Sequence, residues 1–477
     1  MLRLICSAVE VNVVEIVNEW VELGIVTGWN IVTNYLIKFF IEKMSLLWSC
    51  FGLLVALAVH CTEAEVRRWC YYTNWSQYRT GLAKFVPEDI DANLCTHISY
   101  AFAALKNGKL ATFEWNDNDM YNRVNSLKTS HPNLKTLLSV GGWNMGSMPF
   151  VNTVVTEGTR RSFIGSAIDF LRRNDFDGLD ICWQYPTSRG SDDVDKERFS
   201  MLLKEMRAAF DEEGKRTNRA PLLIGVVVGS EDRLVDRAYD IDTLNTSVDA
   251  VSLLTYDFYT PGTFKHAAHT SALYAGKSSV GPDMMKNVEW TANNWVNKGL
   301  SKHLINIGIA FYAHSYLLED ASNQKEGSPT SKAGTAGQYT RLDGFLAYYE
   351  VCQIMSRSTK YYLQDKGVPY LVDGYQWVGY EDERSVALKA KFALDNKFGG
   401  VMLWAFDVDD FKGICNTQKV YPLLKSVNKV LNGGSIPTQT TISPVDVCKG
   451  KSGSYPDPVS LYLYFRQSIL TDFAMLE

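Results

Sequence analysis

An excess of charge of either sign is missing from this chain: 48 Lys and Arg stand against 53 Asp and Glu over 477 residues, a formal net of −5, and the basic residues form no long run. That leaves no electrostatic footprint for nucleic acid or for an anionic membrane surface, and it points to a neutral or small partner. Charged residues are few altogether, 21% against 46% hydrophobic, which excludes a disordered chain and is enough for one large buried core. Cysteine is scarce too. The nine, at 6, 50, 61, 70, 95, 182, 352, 415 and 448, are too few for a disulfide scaffold and fall in no C-x-x-C pattern, so neither a metal site nor a cofactor is expected. Long hydrophobic runs are also wanting: Ser45 to Val59, SLLWSCFGLLVALAV, is uncharged and apolar but too short to span a bilayer comfortably.

What that run does fit is the apolar centre of a signal peptide beginning at Met44, with Thr62 to Ala64 as its small-residue cleavage site and Glu65 near the mature start. A buried strand or an uncleaved signal anchor is the competing reading. Residues 1–43, with an apolar stretch from Val11 to Trp20, are anomalous upstream of a secretory signal. An upstream start or a wrongly joined first exon would account for them; if translated, the stretch would act as an anchor. After cleavage no membrane contact is expected, and the product is an extracellular monomer.

From Trp69 onward, short β-rich runs alternate with helical stretches: Cys70 to Asn74, His97 to Phe102, Thr136 to Val140, Gly178 to Trp183, Leu222 to Val228, Ala250 to Tyr256, Ile305 to Phe311 and Gly400 to Trp404. Strand–helix alternation implies parallel strands joined by crossovers, and eight such units predict an α/β fold, a (β/α)8 barrel of the TIM type with its chemistry at the strands' C-terminal ends. The long gap before the eighth strand predicts a small α+β insertion at about 313–385. The barrel domain spans 65–432 and is followed at 433–447 by a linker rich in Gly, Ser, Thr and Pro. Aromatics reach 12%, including 12 Trp and 25 Tyr, an abundance that suits stacking on the apolar faces of sugars, although large cores also consume rings.

Phe176 to Pro186 reads FDGLDICWQYP, which resembles the D-G-x-D-x-D-x-E strand of glycoside hydrolase family 18, the animal chitinases and chitinase-like lectins. The resemblance extends through CYYTNW at Cys70, SYAFA at Ser99, SVGGWN at Ser139, LTYD at Leu254, GFLAYYEVC at Gly344, WVGY at Trp377 and GGVMLWAFDVDDF at Gly399. It implies disulfides Cys70–Cys95 and Cys352–Cys415, which an oxidising compartment permits.

Residues two apart on a strand face the same way, so Asp180, Cys182 and Gln184 should project into the barrel mouth while Leu179, Ile181 and Trp183 face the helices. In active relatives the place of Gln184 holds the Glu that protonates the glycosidic oxygen. The place of Cys182 holds an Asp that orients the substrate's acetamido group, in the substrate-assisted mechanism. A carboxamide has no acidic proton to give, so the motif positions Asp177, Asp180, Cys182 and Gln184 form no intact catalytic set. Cys182 itself reads as a small apolar filler.

The resemblance further implies a surviving sugar-reading half: Tyr256 and Asp257 toward the N-acetyl group, Trp404 as the floor, Trp75 and Trp143 as platforms, and Tyr71, Phe102, Gly142, Asn144, Tyr185 and Tyr312 as lining. Two departures weaken it. Tyr259 to Gly262, YTPG, stands where His-Gly-x-Trp is common and removes an aromatic shelf, and His314 replaces an Arg. At the tail, Val447 to Ser460 resembles the opening of a peritrophin-type chitin-binding module, but Cys448 is alone and LYLYFRQSILTDFAMLE follows, so the module is truncated. Sequons lie at Asn74, on a strand end and inaccessible, and at Asn245, expected in a loop.

The expectation is therefore a secreted protein that binds chitin or chitooligosaccharides and does not hydrolyse them. The alternatives are residual or altered glycosidase activity through Asp180 or Asp257, and a signalling or matrix protein without sugar binding.

Overall fold

The computed structural model describes residues 65–415 and 419–438. The upstream extension, the signal peptide, most of the linker and the Cys448 module lie outside the described residues.

Eight parallel strands close on themselves: β1 (Arg67–Thr73), β2 (His97–Lys106), β4 (Lys135–Gly141), β5 (Gly178–Cys182), β6 (Leu223–Val228), β7 (Ala250–Leu253), β8 (Ile305–Ala310) and β15 (Gly400–Trp404). Each pairs with the next, and β1 pairs with both β2 and β15, which closes the barrel. A parallel barrel strand is covered on both faces, and so β6 and β8, LIGVVV and INIGIA, are nearly continuous apolar runs. All eight strands lie where the sequence places them. A short antiparallel strand, β3 (Lys109–Ala111), hairpins back on β2 beyond the barrel.

Between β8 and β15 the chain builds an antiparallel sheet from β9 (Tyr312–Leu318), β10 (Thr330–Ala333), β11 (Phe345–Ala347), β12 (Thr359–Leu363), β13 (Val368–Asp373) and β14 (Gln376–Gly379), with the helix Tyr348–Met355. It has a satellite core of its own, with Tyr316, Leu318, Tyr370, Val372 and Trp377. The predicted insertion is thus present. Lys389 and Glu381 form a fully buried ion pair beside it, with Lys389 also donating to Ser271 Oγ at 2.8 Å.

Both implied disulfides are formed, with Cα–Cα separations of 6.1 Å for Cys70–Cys95 and 5.3 Å for Cys352–Cys415. The first ties β1 to the approach of β2, and the second ties the insertion helix to the loop after β15.

Past β15, Asp409 is fully buried and accepts from the backbone N–H groups of Asp410 at 2.7 Å and Leu424 at 2.9 Å, holding the start of the last helix, Pro422–Leu431. Burial pushes its carboxyl up to about 7, outweighing those hydrogen bonds. The folded chain therefore keeps a proton that the unfolded chain releases near pH ~3.9. The stability linked to Asp409 is complete below that value and is lost as pH rises through about 7. Asp409→Asn should flatten this part of the melting-temperature profile between acid and neutral pH, and an unchanged slope would contradict the assignment.

One sequon reading needs correction. Asn245 lies in the helix Ile241–Ser247, not in a loop, and its amide is used at both ends, donating to Gly299 O at 2.9 Å and accepting from Ser301 N at 3.0 Å. Asn74 is buried and donates to Phe102 O at 3.2 Å. Chain secreted from a eukaryotic host should show no mass loss at either asparagine on deglycosylation; a glycan at either would contradict these contacts.

Candidate functional site

Alternation along β5 does what its period demands. Leu179 and Ile181 are buried on the helix side, and Trp183 just beyond stacks on Phe150 at 5.1 Å and meets Phe199 edge-on at 5.5 Å. Asp180 and Cys182 point inward. Asp180 Oδ2 accepts from Tyr71 Oη at 2.6 Å, Ser139 Oγ at 2.8 Å and Ser99 Oγ at 3.2 Å. Its other oxygen, Oδ1, is buried without a hydrogen-bond partner and faces Gly225, where a Cβ would come within 2.8 Å of it. Burial raises the Asp180 carboxyl above the usual range, against the three hydroxyl donors that pull it down.

Above it sits Cys182, buried and free of any disulfide. Burial, with the nearby Asp180 charge, pushes its thiol up to about 12, so the thiol is neutral at any physiological pH. Gln184, half-buried, donates from Nε2 to Cys182 Sγ at 3.3 Å. Gln184 thus rests on Cys182, with Asp180 below them on the same face of the strand, but the two upper members are a thiol and an amide, which supply neither a negative charge nor an acidic proton at the mouth.

Asp177 does not join them. It lies at the opposite end of β5, where Oδ2 accepts from Thr136 N at 2.8 Å and from Lys128 Nζ at 3.3 Å, so its role is to fasten strand ends.

Aromatic side chains from three strand ends form one floor. Trp404 lies 5.1 Å from Tyr71, 5.9 Å from Phe102 and 6.3 Å from Trp75, and Trp75 in turn stacks on Phe102 at 6.0 Å. Gly142 adopts φ +84°, and a Cβ there would come within 2.7 Å of the Phe102 ring, so the turn after β4 passes close to Phe102 only because this residue is glycine. Trp143, next in that turn, is 58% exposed, and Asn144 beside it is also exposed. Tyr185 is half-buried at the end of β5.

Across the mouth, Asp257 accepts from Tyr312 Oη at 2.5 Å and lies 3.3 Å from His314 Nε2. Tyr256 meets Tyr312 edge-on at 6.0 Å. The imidazole at 314, where an arginine is usual, thus contacts the Asp257 carboxylate. At YTPG, Tyr259 packs on Phe264 at 4.6 Å, and Lys286 Nζ covers Tyr259 at 4.3 Å.

Sequence reasoning missed two residues here. Trp115, just after β3, is 85% exposed, and its neighbour Glu114 accepts from Tyr78 Oη at 2.6 Å in the segment following β1. Nothing in its immediate sequence, FEWND, separates this ring from a core residue, since the neighbouring Asp117 is itself fully buried. Arg189 was the other: its guanidinium carbon lies 3.9 Å from the Trp143 ring centroid.

Residues 67–409 match the model of the glycosyl hydrolases family 18. Mouse chitotriosidase-1 is 38% identical over 443 residues, covering 88% of this chain and 93% of the relative. The structure of human YKL-39, described as a pseudo-chitinase with retained chitooligosaccharide binding, superposes with TM-score 0.74 at 38% identity over 77% of this chain and 100% of that one. That of an immunomodulatory active chitinase from Trichuris suis gives the same TM-score, identity and coverage. Overall similarity therefore does not choose between turnover and binding, and the side chains of β5 must decide.

Proposed function

The chain belongs to the glycosyl hydrolases of family 18, and from that premise we propose that it is a secreted chitinase-like lectin, binding chitin or chitooligosaccharides without hydrolysing them. The single observation that carries this reading is the Gln184 amide resting on the neutral Cys182 thiol at 3.3 Å, where hydrolysis needs a proton donor and a carboxylate behind it. Binding is supported by the aromatic floor around Trp404 and by the exposed Trp143. Asp257 and the tyrosines Tyr256 and Tyr312 supply polar groups at fixed positions along it. Two disulfides support passage through an oxidising compartment, with 65–432 as the working domain.

Turnover by the remaining carboxylates is disfavoured by their surroundings. Asp180 lies beneath Cys182 and takes three hydroxyl donors on one oxygen, and Asp257 is engaged by Tyr312 and His314. The test is retention of the chain from Glu65 to Leu431 on chitin beads, run beside hydrolysis of a chromogenic chitobioside. Retention without turnover is the expected result. Turnover by the unmodified chain would overturn the mechanism, and loss of retention would overturn the lectin reading.

A further inference from the structure

Arg189 stands at the mouth in a loop of fixed shape. Thr187, Arg189 and Gly190 have φ of +63°, +57° and +89°, a costly sequence of conformations for two residues with side chains. The loop is pinned where Thr187 N donates to Ser191 Oγ at 2.9 Å, Ser147 Oγ donates to Ser188 O at 2.7 Å and Arg237 Nη2 donates to Thr187 O at 3.1 Å. Arg189 Nη1 donates to two carbonyls, Trp143 O at 2.6 Å and Gln184 O at 3.2 Å, while its guanidinium lies on one face of the Trp143 indole. These acceptors hold the group but do not cancel its charge. Other charged groups around this end are Asp192, the Arg198–Asp195 and Arg237–Asp193 pairs, Glu231, and Asp257 with His314 across the mouth.

From this we infer that Arg189 is a specificity-determining residue, which selects against deacetylated, cationic glucosamine units at the Trp143 end of the cleft and in favour of neutral N-acetylated ones. The inference rests on the sugar-binding reading above. A sugar ring stacked on the open face of Trp143 would sit ~4 Å from the indole, and so roughly 8 Å from the guanidinium. Between the effective dielectric of ~20 near a protein surface and the ~80 of water, the Coulomb repulsion of an ammonium at that distance lowers affinity by roughly twofold to thirtyfold, about tenfold midway. The negative π face that would otherwise attract an ammonium already faces a cation. Neutral N-acetylglucosamine meets neither penalty.

The experiment measures binding of N-acetylglucosamine pentamer and glucosamine pentamer to the folded chain by calorimetry. One series is run in acid, where the glucosamine amines are charged, and one in mild base, where they are neutral. In acid, Arg189→Gln should narrow the preference for the acetylated pentamer about tenfold, Arg189→Lys should keep the wild-type preference, and in base wild type and Arg189→Gln should agree. An acetylated-to-deacetylated ratio unchanged by Arg189→Gln in acid, including one where both sugars weaken equally, would overturn the inference. So would a difference between wild type and Arg189→Gln that persists in base. Failure of the wild type to bind either pentamer would instead overturn the sugar-binding reading, and this inference with it.

Discussion

Restoring both carboxyls of the β5 stack, Cys182→Asp with Gln184→Glu, is expected to raise chitobioside hydrolysis at least ~10³-fold over the wild type, the product of a general acid and a charge placed for the transition state. Gln184→Glu alone should recover only a small part of this. Above a thiol pushed up to about 12, a new glutamate has no anionic neighbour to keep it protonated at neutral pH, so it would ionise and lose the proton that catalysis needs. An aspartate at 182 changes that, because two close carboxyls cannot both ionise freely. Beneath it, Asp180 is already held toward its protonated form by burial, so it would couple to a new carboxyl at 182 as a buried acid. The measurement is the pH–rate profile of both variants, with thermal melts to confirm folding. A folded, sugar-binding double variant with no turnover would mean that something beyond β5 also prevents catalysis.

Trp404→Ala should weaken chitooligosaccharide binding by about a hundredfold, since it removes the central plate of the floor and an aromatic anchor of this kind accounts for a large share of binding energy. The indole is half-buried and packs on Tyr71, Phe102 and Trp75, so its loss will also lower the melting temperature. Trp404→Phe keeps a ring against these neighbours and separates the two effects: it should stay near wild-type stability and lose a smaller part of the affinity. Titration calorimetry with a chitotetraose decides the matter. Wild-type affinity in the alanine variant would show that the floor is core packing and that sugar does not rest on it.

Much of the site was legible because β-strand period and motif spacing act together. Once Gly178 to Cys182 is a barrel strand, the inward direction of Asp180 and Cys182 follows from alternation alone, as does the outward burial of Trp183. Asp177 was harder to place: it belongs to the same motif in sequence, but it lies at the far end of the strand, where its partners are Thr136 and Lys128. Trp115 and Arg189 were passed over for a related reason, since a single ring or a single arginine in a turn has no periodicity to give away its surroundings. Asn245 looked like a loop residue because a short capped helix such as Ile241–Ser247 leaves little apolar pattern.

By itself the sequence determined the barrel, the inserted sheet, the direction of each β5 side chain and the chemistry absent from them, since all of these follow from residue type and short-range period. Only the tertiary structure decided which groups meet: three hydroxyls from three different strands on one oxygen of Asp180, His314 against Asp257, Lys286 over Tyr259, and Arg189 on Trp143. Those contacts join residues far apart in the chain, and closing the barrel is what brings their strand ends to a common mouth.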